Sequence, residues 1–240
     1  MSTSPHDPPA VELRAVIIGL YVGQPHERWA GKPPSAIGKH PIDTAQELTD
    51  TGFVDDQQAD LKVHGGLEKA VHHYAAEHYP TWRSELGAIA DEFGPGRFGE
   101  NISTRGMTEA NLCIGDVLAM GSAVVEISQG RQPCWKLNAH TGIQTMAALF
   151  QQTVRTGWYY RVLEPGAVRV GDEVRRLECP NPDWSVERVT RARLNPRVDP
   201  EIAAALAELP RLAGGWAEAF RKKAQRDYRE DIAARLDGPA

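Results

Sequence analysis

Between Ile102 and Leu177 the chain breaks into short apolar segments separated by glycine turns, and no other feature constrains its fold as tightly. Val117 to Met120 and Ala123 to Ser128 are joined by Gly121-Ser122. Gly157-Trp158-Tyr159-Tyr160-Arg161-Val162-Leu163 reads as a buried strand, Pro165-Gly166 turns the chain into Val168 and Val170, and Gly171-Asp172 turns it into Glu173 to Leu177. Strands this short, with turn signals at roughly ten-residue spacing, indicate an all-β barrel rather than a parallel α/β sheet. Two Gly-Asp pairs, Gly115-Asp116 and Gly171-Asp172, each precede a strand and hint at a pseudo-repeat.

Upstream, residues 11–22 alternate and cluster apolar side chains as a strand does, and 25–39 form a Gly/Pro-rich loop. His40 to Thr44 reads as a short edge strand, and Glu47 to Phe53 leads into an acidic turn. Tyr79, Trp82 and Leu86 share one face of a helix over 75–86, with Pro80 marking a break or a second start. Ile143, Met146, Leu149 and Phe150 predict another helix over 141–152. After Cys179 the texture changes. Pro180-Asn181-Pro182 reads as a linker, and three helices follow at 185–195, 200–212 and 215–235. Ser185 can cap the first, Asp199-Pro200-Glu201 starts the second, and Gly214-Gly215 separates the last two. The expected organisation is a disordered stretch over 1–10, a mainly β barrel with flanking helices over 11–180, and a three-helix unit over 181–240. That unit is too small to bury much core alone, so it should dock on the barrel.

Charge excludes some functions. A net charge of −5 and a pI near 5.9 argue against a general nucleic-acid binder, while leaving room for a local basic pocket. No apolar run approaches the roughly 20 residues that cross a bilayer, and the polar, Pro-rich start has no signal-peptide character. The three cysteines, Cys113, Cys134 and Cys179, make no C-x-x-C pair, which speaks against a zinc ribbon and for a reducing, cytoplasmic setting.

The chemistry concentrates in Ser128-Gln129-Gly130-Arg131-Gln132-Pro133-Cys134-Trp135-Lys136-Leu137-Asn138. A strand ends, the chain turns, and Cys134 is presented among Arg131, Lys136 and Asn138. A positive field favours thiolate, which serves as a nucleophile or a soft metal ligand. Cys113 and Cys179 lack such neighbours and read as structural. Lys62-Val63-His64-Gly65-Gly66 is a second candidate, a turn that lets backbone approach a ligand. A zinc set of His64, His73, Glu77 and Cys134 matches no standard spacing. His78 and Tyr79 fit a helix face packed on the barrel. Glu100-Asn101 is either a hairpin tip or a carboxylate and amide for the edge of a planar, nitrogen-rich ring. Arg155 suits phosphate, and with Arg131 and Lys136 it could neutralise one. Trp158 reads as core.

These residues together resemble the MOSC domain, and more closely its bacterial YiiM-like branch. The resemblance rests on the Cys134 stretch, His64-Gly65-Gly66, Phe98-Gly99-Glu100-Asn101, Val71-His72-His73-Tyr74, Glu77-His78-Tyr79, Gly157-Trp158-Tyr159-Tyr160 and a tail with Gly215-Trp216 and Lys222-Lys223. It runs from about residue 12 to 236. It implies a barrel that binds molybdenum cofactor, with Cys134 as the thiolate on molybdenum, and reduction of N-hydroxylated substrates such as hydroxylamine-type bases. Electrons would come from a separate reductase, expected to be a flavoprotein, because the chain carries no flavin or iron–sulfur motif. Chemistry and family position together nominate His64, Gly65, His73, Glu100, Asn101, Arg131, Lys136, Asn138 and Arg155 as cofactor contacts, and His64 or Lys62 as the proton donor. One departure is Gly130, where the family often has proline. It loosens the approach to the turn and leaves the thiol and cations in place. Two rival readings stay open: a non-catalytic carrier of cofactor or sulfur on Cys134, and a hydrolase using Cys134 with a histidine.

Overall fold

In the computed structural model, residues 13–59, 65–225, 227–232 and 235–236 are described. Eleven strands follow one another as β1 (Arg14–Val22), β2 (His40–Pro41), β3 (Gln46–Thr49), β4 (Gly52–Phe53), β5 (Val71–Ala75), β6 (Ile102–Arg105), β7 (Val117–Met120), β8 (Ala123–Gly130), β9 (Trp158–Glu164), β10 (Gly166–Val168) and β11 (Glu173–Glu178). Seven of them close a barrel in the order β1-β11-β7-β8-β9-β5-β6, with β6 returning to β1 and β2 hanging on the end of β1. The β5–β6 pair is parallel and the others are antiparallel. Closure removes the open edges that would otherwise template pairing with another chain. A small sheet, β10-β3-β4, lies apart from the barrel ladder. It contains a β3–β4 hairpin in the segment expected only to lead into a turn.

Among the described residues the α-helices are α1 (His78–Leu86), α2 (Lys136–Thr141), α3 (Met146–Thr153), α4 (Val186–Leu194), α5 (Pro200–Ala207) and α6 (Gly214–Lys223). The barrel core holds Ile17, Leu20, Val125, Ile127, Trp158 and Tyr160, and Val189, Leu206 and Phe220 from α4–α6 belong to the same apolar cluster. Burying each such side chain contributes about 1.5–3 kcal/mol, so docking on the barrel supplies the core that three short helices lack. A second cluster of Tyr74, Tyr79, Trp82, Phe98, Phe150 and Met146 binds α1 and α3 to the other face of β5.

Local signals account for most boundaries. Ser185 accepts a hydrogen bond from the Arg188 amide at 3.1 Å, and Asp199 accepts from Glu201 and Ile202 with Pro200 at the first helical position. The two Gly-Asp pairs make the same turn. Gly115 and Gly171 have φ of 83° and 92°, and each aspartate accepts from the amide three residues back, Asp116 from Cys113 at 2.9 Å and Asp172 from Arg169 at 3.0 Å.

Some expectations need correction. Residues 71–75 are a strand buried on both faces, so the helix starts at His78 rather than at 75. Pro80 lies in the first turn of α1, where its missing N–H costs nothing, and breaks no helix. The helix expected over 141–152 is α3 alone, and α2 precedes it, separated by a turn at Gly142. The last helix ends at Lys223, well short of 235. Among the described residues, no helix is long and apolar enough to cross a membrane.

Candidate functional site

Strand parity decides which side chains reach the site. Successive side chains of a strand point to opposite faces. In β5, His73 points into the barrel, where its Nδ1 meets the Tyr160 hydroxyl at 2.9 Å and its Nε2 meets Thr104 Oγ1 at 2.8 Å. His72 points the other way and lines a pocket. In β9, paired antiparallel to β5, Trp158 and Tyr160 are core while Tyr159 joins His72, with ring centroids 5.0 Å apart. Cofactor contact by His73 is therefore corrected: one residue of register separates it from the pocket, and His72 stands in its place.

The pocket, a cavity of about 80 Å³, lies between these two strands, the 35–39 and 57–59 loops, and the loop from β8 to α2. Cys134 is in its wall, half-buried, with Arg131 and Lys136 on either side and Lys39 and Lys69 completing a ring of cations. Among the described residues, no aspartate or glutamate lines it. Arg131 is nearly buried and donates to the Phe98 carbonyl at 2.7 Å, with its guanidinium 5.9 Å from the Phe150 ring centroid.

Lys39 is held by a buried ion pair with Asp56, their side chains 6% and 1% exposed. Burial lowers the Lys39 pKa, and Asp56 opposes that shift. Asp56 also accepts from the Gly23 amide at 2.7 Å and from Asn101 Nδ2 at 2.9 Å. Asn101 in turn donates to the Tyr21 carbonyl at 3.1 Å and accepts from the His72 amide at 3.1 Å. One amide thus ties β1, β5 and the Asp56 loop together at the pocket floor. Burial drives the His72 pKa well down, and the Arg131 charge adds to the effect, so its imidazole is neutral. Burial pushes the Tyr159 phenol up, with Arg131 pulling it down and Cys134 pushing further up.

The Cys134 loop is braced from the far end of the chain. Arg235 donates to the Pro133 carbonyl at 2.5 Å and to Gln151 Oε1 at 2.6 Å, and the Trp135 amide donates to the Arg235 carbonyl at 2.8 Å.

Of the residues nominated from sequence, Cys134, Arg131, Lys136 and Asn101 line the pocket. Four others do not. Glu100 is fully buried, is not among the pocket residues, and accepts from Tyr79, Ser103 and the Gly96 and Phe98 amides, so it serves the fold rather than a ring edge. Asn138 is spent on the Leu236 carbonyl and the Ala147 amide. Arg155 pairs with Glu85 and stacks 3.7 Å from the Trp82 ring centroid, away from the thiol. His73 is the fourth. Gly65 is not among the pocket residues, and Lys62 and His64 lie outside the described residues. His73, Glu77 and Cys134 form no metal-holding group. Lys39, Lys69, His72 and Tyr159 were missed. The β5–β9 register groups His72 with Tyr159 once the fold is known, while the lysines carry no local signal.

A family profile described as "MOSC domain" matches residues 60–175. Protein YiiM of Escherichia coli strain K12 is 36% identical over 221 residues, 92% of this chain and 98% of that protein. The chain belongs to the YiiM-like MOSC proteins. A crystal structure of YiiM from Escherichia coli superposes on this MOSC protein with a TM-score of 0.78 at 30% identity, covering 93% of this chain and 98% of that one. A protein of Gibberella moniliformis named "Reductase" is 39% identical over 184 residues, which are 75% of this chain but only 32% of that longer protein. MOSC domains are associated with molybdenum cofactor. The donor set here suits that group: a thiol for a soft metal, beside a ring of cations for a phosphate.

Proposed function

We propose that this MOSC protein binds molybdenum cofactor through Cys134 and reduces N-hydroxylated compounds, N–OH to N–H. The observation that carries the reading is a thiol in the wall of a pocket lined by Lys39, Lys69, Arg131 and Lys136 and, among the described residues, by no carboxylate, in a chain of net charge −5. The relative named "Reductase" supports the redox half.

In this reading the bound molybdenum centre supplies the two-electron chemistry, with Cys134 as its protein ligand. The chain supplies the rest. Arg131 and Lys136, which line the pocket with the thiol, would hold the cofactor phosphate. Lys39, its charge balanced by Asp56, would add an N–H donor from a fixed position. Tyr159, whose phenol keeps its proton at neutral pH, offers an O–H donor that would orient bound groups, while neutral His72 spends its N–H on a backbone carbonyl and packs its ring against Tyr159. Reducing N–OH consumes two electrons and two protons and releases water. His64 or Lys62 is the candidate proton donor. The electrons come from a separate reductase, expected to be a flavoprotein.

The test is expression in a cofactor-competent host, molybdenum analysis, and a turnover assay with reduced benzyl viologen and an N-hydroxylated base. One molybdenum per chain with turnover is expected. Bound molybdenum without turnover would replace this reading with that of a carrier. Turnover abolished by alkylating Cys134 in metal-free protein would favour a cysteine hydrolase.

A further inference from the structure

We propose that Cys113, Asp116 and Cys179 form a structural site for a thiophilic divalent cation, zinc by its ligand set, at the junction of the barrel with the C-terminal helices. Sequence spacing gave no reason to group these residues. The fold does, because the turn before β7 and the residue after β11 meet where the helical segment begins. None of the three lines the Cys134 pocket.

Three observations converge there. The two Sγ atoms and a carboxylate oxygen all lie within 4.8 Å of one another. Tetrahedral zinc with Zn–S bonds of about 2.3 Å sets its ligands about 3.8 Å apart, so small side-chain rotations would close the site. Asp116 is fully buried, yet its Oδ1 meets no hydrogen-bond donor. An orphaned buried carboxylate oxygen costs free energy that a cation would recover. Charge also balances. Arg176 Nη1 lies 3.4 Å from Asp116 Oδ2, so a divalent cation with Arg176 neutralises two thiolates and one carboxylate. Without the cation, the thiols are protonated and Asp116 pairs with Arg176. Uptake therefore forms two S–metal bonds and one O–metal bond and releases two thiol protons, with no oxidant required. The half-buried Cys179 leaves a fourth position open to water.

The surrounding backbone shows what the cation would hold. The Ile114 amide donates to the Trp184 carbonyl at 3.0 Å, the Val186 amide to the Leu112 carbonyl at 2.8 Å, and Asn181 Nδ2 to the Ile114 carbonyl at 2.9 Å. Cys113 bridges to Ser185 across this seam, and Cys179 directly follows β11, where the chain leaves the barrel for the helices. Without a cation the thiols have weak contacts, Cys113 Sγ with the Pro182 carbonyl at 3.6 Å and Cys179 with Cys113 and Asp116. A bound cation would staple the start of the helical segment to the barrel and raise the Tm.

The test uses the full chain carrying Cys134→Ser, so that Cys113 and Cys179 are the only thiols among the three cysteines. After reduction and chelation, the protein is titrated with cobalt(II) as a chromophoric stand-in for zinc. One cobalt per chain with a sulfur-to-cobalt charge-transfer band is expected, and Cys179→Ser in the same background should lose the band. Zinc should also protect both thiols from alkylation, a readout that needs no further variant if Cys179→Ser fails to fold. No thiolate band, a band unchanged by Cys179→Ser, or alkylation unaffected by zinc overturns the proposal. So does a reduced protein that takes up no cobalt and instead forms a Cys113–Cys179 disulfide in air.

Discussion

Asp56→Asn is the perturbation that most sharply tests how the pocket floor is built. The substitution keeps the shape and removes the charge that anchors Lys39. With side chains 6% and 1% exposed, the pair is out of reach of bulk water, and breaking such a pair from one side costs about 3–5 kcal/mol because the surviving charge stays buried. The new amide group also points a donor at Asn101 Nδ2, which now donates to Asp56 at 2.9 Å. In a chain of this size, 1 kcal/mol moves the Tm by about 2–4 °C, so a fall of roughly 6–20 °C is expected in a thermal scan, with a matching shift in the urea midpoint. Lys39→Met combined with Asp56→Asn leaves no unpaired charge and should recover much of the loss, while binding phosphate-bearing ligands more weakly than wild type. An Asp56→Asn protein within about 0.5 kcal/mol of wild type would refute the argument. So would a double variant as unstable as the sum of the singles.

Arg131→Ala should lower cofactor retention at least tenfold, measured as molybdenum per chain, whereas Arg155→Ala should leave it unchanged and cost only about 1–2 kcal/mol from the lost contact with Trp82. Burial depresses the His73 pKa from 6.5 to about 3. A depressed folded pKa gives stability that is complete above the unfolded value and lost on acidification. Unfolding free energy should therefore fall between pH 6.5 and pH 3 by about 1.4 kcal/mol per unit from this group, and His73→Gln should flatten the urea-midpoint profile in that window. Gly130→Ala would place a Cβ 1.9 Å from Thr190 Oγ1 on α4. It should cost about 1–3 kcal/mol by overpacking, and Thr190→Ala should relieve it.

The last of these explains what sequence left open about Gly130. Its lack of a side chain does not loosen the turn; it makes room for Thr190, a contact between residues sixty positions apart that no local pattern encodes. What was legible was local. Glycine turns marked β7 to β11, and Ser185 and Asp199 announced the starts of α4 and α5. Cys134, Arg131 and Lys136 were legible because they fall within one turn of chain. Glu100 and Arg155 misled because type alone suggested ligands, while the fold satisfies Glu100 with internal donors and Arg155 with Glu85. β5 misled through its parity. A strand buried on both faces shows no alternation, so nothing in Val71-His72-His73-Tyr74 said which histidine faces the pocket. Lys39 reaches the site only because the 25–39 loop folds back over it.

The central claim is that Cys134 ligates molybdenum in a working reductase. The most direct measurement is viologen-coupled reduction of an N-hydroxylated base by wild type and by Cys134→Ser, both expressed in a cofactor-competent host and both analysed for molybdenum. The expected result is turnover by wild type, and turnover at background in a folded Cys134→Ser protein. A cofactor-loaded Cys134→Ser protein that turns over at the wild-type rate would contradict it.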